Sequence, residues 1–126
     1  YKDAEKEFNN RHVLRMDPVP EAVLQGRRER GTVVYETMWG PNEFYMTGNL
    51  ANYDRSGDLH QISIPTLYSC GRFDEAAPDT VNWYADLTPN AEFVIYENSA
   101  HMPHWEETSR YISVVRDFLR RTDELA

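Results

Sequence analysis

The sequence has 126 residues, carries a net charge of −8 at pH 7 and is 40% hydrophobic. This length provides one domain at most, and the hydrophobic content is typical of a globular chain rather than a disordered one. The negative charge argues against nucleic acid and against an anionic membrane surface as partners, because both repel acidic proteins. No apolar run approaches the roughly 18 residues that a membrane-spanning helix requires, so we expect no membrane partner.

The cysteine and histidine residues show no metal-binding pattern. Cys70 is the only cysteine, which excludes an internal disulfide and a cysteine-based metal site, and its neighbours predict a buried, packed thiol. The four histidines lack a metal-binding spacing such as His-Glu-x-x-His. We expect His12 and His60 at the surface and His104 in a packing or capping position. The sequence therefore predicts no metal and no other cofactor.

The first 60 residues are predicted to be mainly helical. Apolar residues at helical spacing predict a helix over residues 3–13, and the two prolines within residues 17–20 end it. A second helix is predicted over residues 21–30. Residues 32–39 favour a third helix, although their β-branched side chains leave a strand as an alternative. A turn at residues 40–42 ends this element, and a polar connector leads to the next.

The second half of the chain alternates between strand and helix. Residues 66–70 and 91–96 are short apolar runs that predict strands. Residues 80–87 and 106–121 carry apolar side chains at helical spacing, and Pro78 suits the start of the first of these helices. Strand, helix, strand, helix is an α/β unit, in which the strands are parallel and joined by a right-handed crossover.

An acid and a histidine follow these two strands. Asp74 comes just after the first strand, and His101 comes just after the second. Because function in parallel sheets lies beyond the carboxyl ends of the strands, we expect the two side chains to act together. Acid before histidine is the order of a serine-hydrolase triad, in which the carboxylate orients the imidazole. The alternative interpretation of Asp74 is a carboxylate that caps the following helix.

Three segments resemble a known enzyme family. They are residues 35–44 (Tyr-Glu-Thr-Met-Trp-Gly-Pro-Asn-Glu-Phe), residues 64–78 with Ile-Pro-Thr-Leu and Cys-Gly-Arg-Phe-Asp-Glu-Ala-Ala-Pro, and residues 99–107 (Ser-Ala-His-Met-Pro-His-Trp-Glu-Glu). Together they resemble the C-terminal half of a proline iminopeptidase of the α/β-hydrolase fold, in the branch that contains the tricorn-interacting aminopeptidase and related amino-acid amidases. The resemblance runs over most of the chain, and the Gly-Pro-Asn-Glu-Phe run is its most specific part.

The resemblance implies an architecture and a catalytic pair. Residues 1–60 would be the end of a helical cap, or lid. Residues 61–126 would be the C-terminal part of the α/β-hydrolase core, with parallel strands and flanking helices. Asp74 matches the triad acid of the family, and His101 matches the triad base.

The resemblance also implies residues that bind the substrate. Glu43 matches a cap glutamate that binds the free α-ammonium group, Glu75 matches a second carboxylate with the same task, and Tyr35 matches a tyrosine that lines the site. Two carboxylates against one ammonium would select an unblocked N-terminus through charge-assisted hydrogen bonds. Trp39 and residues 76–77 depart from the family's pattern. These departures affect the expected substrate preference more than the expected triad.

The nucleophile that this family uses is absent from the chain. None of the serines lies in a Gly-x-Ser-x-Gly elbow, and no His-Gly-Gly oxyanion segment occurs. In the family both motifs precede the cap. The chain starts at Tyr1 without an initiator methionine, and it is therefore expected to be a fragment. We expect it to be inactive alone and to require the N-terminal half of the same protein as a partner.

The leading functional hypothesis is a serine aminopeptidase or amidase. It would remove an N-terminal residue, proline or another unblocked amino acid, from short peptides or amides. The alternatives are an α/β-hydrolase that acts on esters or epoxides, and a non-catalytic interaction module. A cytoplasmic location is expected.

Overall fold

The structure, a computed structural model, describes residues 2–42 and 44–123. Contacts between residues divide the chain into two units. The larger unit is made of residues 1–17 and 58–126, and the smaller unit is made of residues 18–57. The smaller unit is therefore inserted in the sequence between two parts of the larger one.

The first 17 residues belong to the unit that contains the sheet. Leu14 anchors this segment, because only 3% of its surface is exposed. The assignment of residues 1–60 to a cap and of residues 61–126 to a core stays a prediction.

The sheet of the described chain consists of two parallel strands, β1 (Thr66–Gly71) and β2 (Ala91–Tyr96). Gly71 lies opposite Tyr96 at the end of the pairing, so the carboxyl ends of both strands lie at the same level. The observed strands match the predicted ranges to within one residue. The predicted α/β class, with parallel strands and flanking helices, is confirmed.

Helices precede, separate and follow the strands. The helices of the described residues are, in chain order, α1 (Lys2–Phe8), α2 (Glu21–Glu29), α3 (Thr32–Met38), α4 (Pro78–Leu87), α5 (Pro103–Glu106) and α6 (Thr108–Asp123). A π-helical turn at Asn9–Val13 continues α1, and a 3-10 turn at Ser56–Gln61 precedes β1. Because α3 is helical, the alternative of a strand over residues 32–39 is wrong.

The last predicted helix, over residues 106–121, is interrupted in the structure. α5 ends at Glu106 and α6 begins at Thr108, and Glu107 between them has a φ of −131° and a ψ of 49°. The Glu107 carboxylate turns back to the loop after β2 and accepts hydrogen bonds there, which accounts for the break. Leu119, one of the apolar residues at helical spacing in α6, is 51% exposed.

A small apolar core lies between the sheet and α4. Val81 and Ala85 on α4 are buried, as is Cys70 near the end of β1. Burial raises the pKa of the Cys70 thiol to about 11, with a further contribution from the charge of Asp74. The thiol therefore stays protonated at neutral pH, and the predicted buried, packed cysteine is confirmed.

The end of α4 is fixed to β1 by a buried hydroxyl. The Thr88 hydroxyl donates to the Tyr84 carbonyl over 2.9 Å and lies 2.9 Å from the Tyr68 hydroxyl. Replacing Thr88 by valine is expected to lower the free energy of unfolding by about 1 kcal/mol, because the Tyr68 hydroxyl loses its partner. Urea denaturation measures this change. In a Tyr68→Phe background the same substitution should cost clearly less, and an equal cost would contradict the hydrogen-bond explanation.

Two positions in the smaller unit require glycine. Gly40 has a φ of +107°, a backbone conformation that side chains with a Cβ rarely adopt. Gly48 lies against the backbone of Met38 and Trp39, where a Cβ would overlap with backbone atoms. The chain can therefore turn back onto the end of α3 only with glycine at these positions.

Candidate functional site

The loop after β1 places Asp74 at the carboxyl end of the sheet. In this acid loop (residues 73–77), the Asp74 carboxylate accepts the Ala76 backbone N–H over 2.9 Å. The Asp74 side chain is only 5% exposed, and a buried carboxylate needs such donors. α4 begins at Pro78, with Ala77 at its N-cap position. Asp74 therefore precedes the capping position, and the alternative in which it caps α4 is not supported.

The loop after β2 lies directly against the acid loop. In this histidine loop (residues 98–102), the Ser99 carbonyl accepts the Phe73 N–H over 3.0 Å, and Ser99 and Ala100 are fully buried. The backbone of Ser99 and Ala100 approaches Gly71 so closely that a Cβ at this position would overlap with their carbonyl oxygens. The absence of a side chain at Gly71 therefore lets the two loops touch.

This contact pairs the predicted acid with the predicted base. Nδ1 of His101 lies 2.9 Å from Oδ1 of Asp74, and the His101 side chain is 52% exposed. An ionised carboxylate can only accept, so Nδ1 carries a proton towards it, and in the neutral imidazole the lone pair is on Nε2. His101 can thus accept a proton from a nucleophile, and the atom that accepts it is Nε2.

A second carboxylate, that of Glu75, lies beside the same histidine. Oε1 of Glu75 is 3.9 Å from Nδ1 of His101, and the Glu75 side chain is 21% exposed. Asp74 and Glu75 thus place two carboxylates beside the imidazole. Two neighbouring negative charges favour a cationic group on a ligand.

The N-terminal segment contacts the acid loop. Nδ1 of His12 lies 2.8 Å from the Phe73 carbonyl oxygen, and the His12 carbonyl accepts the Glu75 N–H over 3.1 Å. The Arg15 guanidinium lies 3.7 Å from the centre of the Phe73 ring. His12, which was expected at the surface, is half-buried. No sequence signal pointed to this contact, because its partners are 61 residues apart.

Two acids to which the sequence analysis gave no role contact the histidine loop. Oε2 of Glu107 accepts the Asn98 N–H over 3.0 Å and the Ser99 hydroxyl over 2.6 Å. Oε2 of Glu106 accepts the Ala100 N–H over 2.8 Å. The one signal in the sequence was that both acids belong to the same motif as the histidine.

The hydrogen bonds to Glu107 determine how the contact between its carboxylate and the histidine loop depends on pH. Burial acts to raise the pKa of Glu107, but the hydrogen bonds from Ser99 and Asn98 and the charge of Arg110 outweigh it, so the pKa lies below the ordinary 4.5. A carboxylate with a lowered pKa stabilises the folded state above its unfolded-state pKa, and this stabilisation is lost as the pH falls through the folded-state value. The contact is therefore intact at neutral pH and weakens only below pH 4.5.

The other two predicted binding residues, Tyr35 and Glu43, belong to a part of the chain separate from the unit that contains this site. Tyr35 lies in α3, within the unit of residues 18–57, and is half-buried with the Arg30 guanidinium 4.6 Å from its ring centre. Glu43 lies outside the described residues. Their roles in binding stay predictions. His104 packs near Tyr111, with 5.9 Å between the ring centres, in agreement with its predicted packing role.

The described residues form neither a metal-binding cluster nor a membrane-crossing helix. Among residues 2–42 and 44–123, no three or more His, Cys, Asp and Glu side chains are grouped so that they could hold a metal ion. In the same part of the chain, no helix combines the length and the apolar character needed to cross a bilayer.

Comparison with known proteins identifies relatives of the same fold. The sequence profile of the alpha/beta hydrolase fold matches residues 4–108. A proline iminopeptidase from Heyndrickxia coagulans is 45% identical over 113 residues, which cover 89% of this chain and 39% of that protein.

Two solved structures are similar to the chain. The crystal structure of VinJ has a TM-score of 0.89 and 39% identity, and the match covers 97% of this chain and 42% of VinJ. The crystal structure of proline iminopeptidase from Mycobacterium smegmatis has a TM-score of 0.87 and 33% identity, and the match covers 99% of this chain and 42% of that protein. The predicted resemblance to proline iminopeptidases is confirmed. The chain spans only 39% to 42% of the length of these relatives.

Proposed function

The chain belongs to the alpha/beta hydrolase fold family, and on this premise we propose that it is the C-terminal part of a serine hydrolase that removes an N-terminal residue from peptides or amides. The observation that carries the proposal is the pair of His101 and Asp74, 2.9 Å apart beyond the ends of β1 and β2. Similarity to proline iminopeptidases supports a peptide substrate, with proline as the first candidate for the residue removed.

The full-length protein would supply the nucleophile from an N-terminal part. The chain spans less than half of its relatives and contains no Gly-x-Ser-x-Gly elbow, so the serine and the oxyanion hole would lie in that missing part. Residues 1–60 would end the cap and residues 61–126 would complete the core. The chain alone would be inactive.

In the reaction, His101 moves the proton and Asp74 orients His101. Nε2 takes the proton of the serine hydroxyl while the serine oxygen forms a bond to the scissile carbonyl carbon. The imidazolium then donates this proton to the leaving amine as the carbon–nitrogen bond breaks, which leaves an acyl-enzyme. Water, deprotonated by the same nitrogen, hydrolyses the acyl-enzyme and releases the amino acid. Asp74 accepts from Nδ1 throughout and stabilises the imidazolium.

Selection of the substrate would depend on the free amine. Glu75 lies beside His101, and its carboxylate would bind the α-ammonium group next to the scissile bond. Glu43 and Tyr35 would complete this site, as the family resemblance implies. Charge-assisted hydrogen bonds to two carboxylates favour a charged amine over a blocked one.

The proposal is tested by assaying the full-length protein on an unblocked prolyl arylamide and on its N-acetylated form. We expect turnover of the unblocked substrate and little turnover of the acetylated one. Preference for an uncharged ester or for an epoxide would favour the other hydrolase hypothesis. Absence of turnover on all of these substrates would favour the non-catalytic interaction module.

Neutralising Glu75 is expected to weaken binding of free-amine substrates. Glu75→Gln should lower kcat/KM for the unblocked arylamide by about 10- to 100-fold, mainly through KM, because a hydrogen bond to a charged group is lost. Steady-state kinetics measure the effect. Glu97→Gln, the same change at an exposed position just after β2, serves as control and should have little effect. An equal loss on the acetylated substrate would contradict the ammonium role of Glu75.

A further inference from the structure

Two adjacent acids at the end of α5 bind the backbone that leads into His101. Glu106 ends this helix and Glu107 follows it, and both side chains turn towards the histidine loop instead of solvent. Both residues are half-buried, and the Glu107 side chain is only 12% exposed. They therefore differ from the exposed acids that make up most of the negative surface.

The two carboxylates satisfy the polar groups of three consecutive residues. Oε2 of Glu107 accepts both the Asn98 N–H and the Ser99 hydroxyl. Oε2 of Glu106 accepts the N–H of Ala100, the residue that directly precedes His101. The Ser99 hydroxyl and the Ala100 N–H lie in fully buried residues and require acceptors, and the two carboxylates provide them and so hold the loop in position.

Glu106 has a second contact that Glu107 lacks. Its other oxygen, Oε1, accepts the Arg15 N–H over 2.8 Å. One carboxylate thus joins the N-terminal segment to the histidine loop, across 91 residues of sequence. Both oxygens of Glu106 accept from backbone N–H groups, whereas the backbone and hydroxyl contacts of Glu107 use one oxygen.

We infer that Glu106 and Glu107 are positioning residues, which hold the His101 imidazole at hydrogen-bond distance from Asp74 for the reaction. The inference rests on the proposed function. Each carboxylate is bonded to the residues that lead into His101, Glu106 to Ala100 and Glu107 to Asn98 and Ser99. A displacement of a catalytic group by about 1 Å costs on the order of 100-fold in rate, so the loop must be held closely.

Glu106 accepts hydrogen bonds from backbone N–H groups with both of its oxygens, whereas Glu107 binds the histidine loop with one, so substitution by glutamine should affect the two residues differently. Glutamine offers one carbonyl oxygen and one NH2 group. In Glu106→Gln the NH2 group must face either the Arg15 N–H or the Ala100 N–H, so one of these two groups loses its acceptor. In Glu107→Gln the carbonyl oxygen can still accept from both Asn98 and Ser99.

The variants are compared in the full-length protein by kcat and KM on the unblocked prolyl arylamide. Glu106→Gln and Glu107→Ala are expected to lower kcat by about 10- to 100-fold with little change in KM, because the substrate-binding groups are untouched. Glu107→Gln should recover most of the activity that Glu107→Ala loses. Glu92→Gln, an exposed acid at the start of β2 that pairs with Arg121, is the matched control and should match the unsubstituted protein.

Amide hydrogen exchange gives a second measurement that does not require activity. Glu106→Gln should accelerate exchange at Arg15 or Ala100, and Glu107→Ala should accelerate it at Asn98. If the full-length protein shows no peptidase activity, the proposed function fails, while unchanged exchange in both variants would show that the carboxylates do not hold the loop. Faster exchange with unaltered kcat would also overturn the positioning role.

Discussion

Replacing Asp74 by asparagine is expected to lower the kcat of the full-length protein by about 10⁴-fold while the fold is retained. Oδ1 of Asp74 accepts both the Ala76 N–H and the proton on Nδ1 of His101. Asparagine has nearly the same shape, and its carbonyl oxygen can keep both contacts, but it lacks the negative charge that stabilises the imidazolium. The imidazole would therefore be a much weaker base towards the nucleophile. Steady-state kinetics with a circular-dichroism spectrum measure both parts of this expectation.

The control for this substitution is Asp79→Asn, the same chemical change on the exposed first turn of α4. It should leave kcat within a small factor of the original. His101→Ala should lose at least as much activity as Asp74→Asn, and the double substitution should lose little more than His101→Ala, because the two residues act as a unit. If Asp74→Asn lowered kcat by less than tenfold, the assignment of Asp74 as the triad acid would be wrong.

Gly71→Ala is expected to lower the free energy of unfolding by about 3 kcal/mol and to displace the histidine loop. A Cβ at this position overlaps with the carbonyl oxygens of Ser99 and Ala100. Both are backbone atoms in a fully buried segment, so no side-chain rotation can relieve the overlap. The loop must move away from β1, and the pairing of His101 with Asp74 should be lost with it. Urea denaturation measures the stability, and kcat on the unblocked arylamide measures the loss of pairing.

Gly26→Ala is the matched control for this prediction. Gly26 lies within α2, and no described atom outside its own helix and neighbours would come within 4 Å of a Cβ there. Alanine is the better helix former, so the stability should rise by about 1 kcal/mol. If Gly71→Ala behaved like Gly26→Ala, the close approach of the two loops would not be a constraint on the site.

The elements that position the catalytic pair could be predicted from local sequence. The two strands are short apolar runs bounded by Pro65, Gly71 and Asn90, and parallel pairing follows from the helix between them. Because such strands end at the same edge, the acid and the histidine that follow them were expected to meet. The distance of 2.9 Å between Asp74 and His101 agrees with that expectation.

The contacts that hold the pair could not be predicted in the same way. Glu106 and Glu107 lie on what a periodicity analysis treats as one helix, and nothing in helical spacing shows that Glu107 breaks it to reach Ser99. The role of His12 depends on the backbone path of segments 61 residues apart, for which local propensity contains no information. Side-chain bonds to loop backbone are specified by the fold as a whole, so they become visible only in the structure.

The contacts of the N-terminal segment have a consequence for the order in which the chain assembles. Asp74 and His101 are 27 residues apart, but the bond from Arg15 to Glu106 closes a loop of 91 residues. The entropy lost on closing a loop grows with the logarithm of its length, so the longer loop costs only about 1 kcal/mol more. It joins segments that are far apart in sequence, and such distant contacts slow folding. The strand–helix–strand unit depends on contacts between nearby residues, whereas the contacts of residues 12–15 around the site depend on this slower, long-range closure.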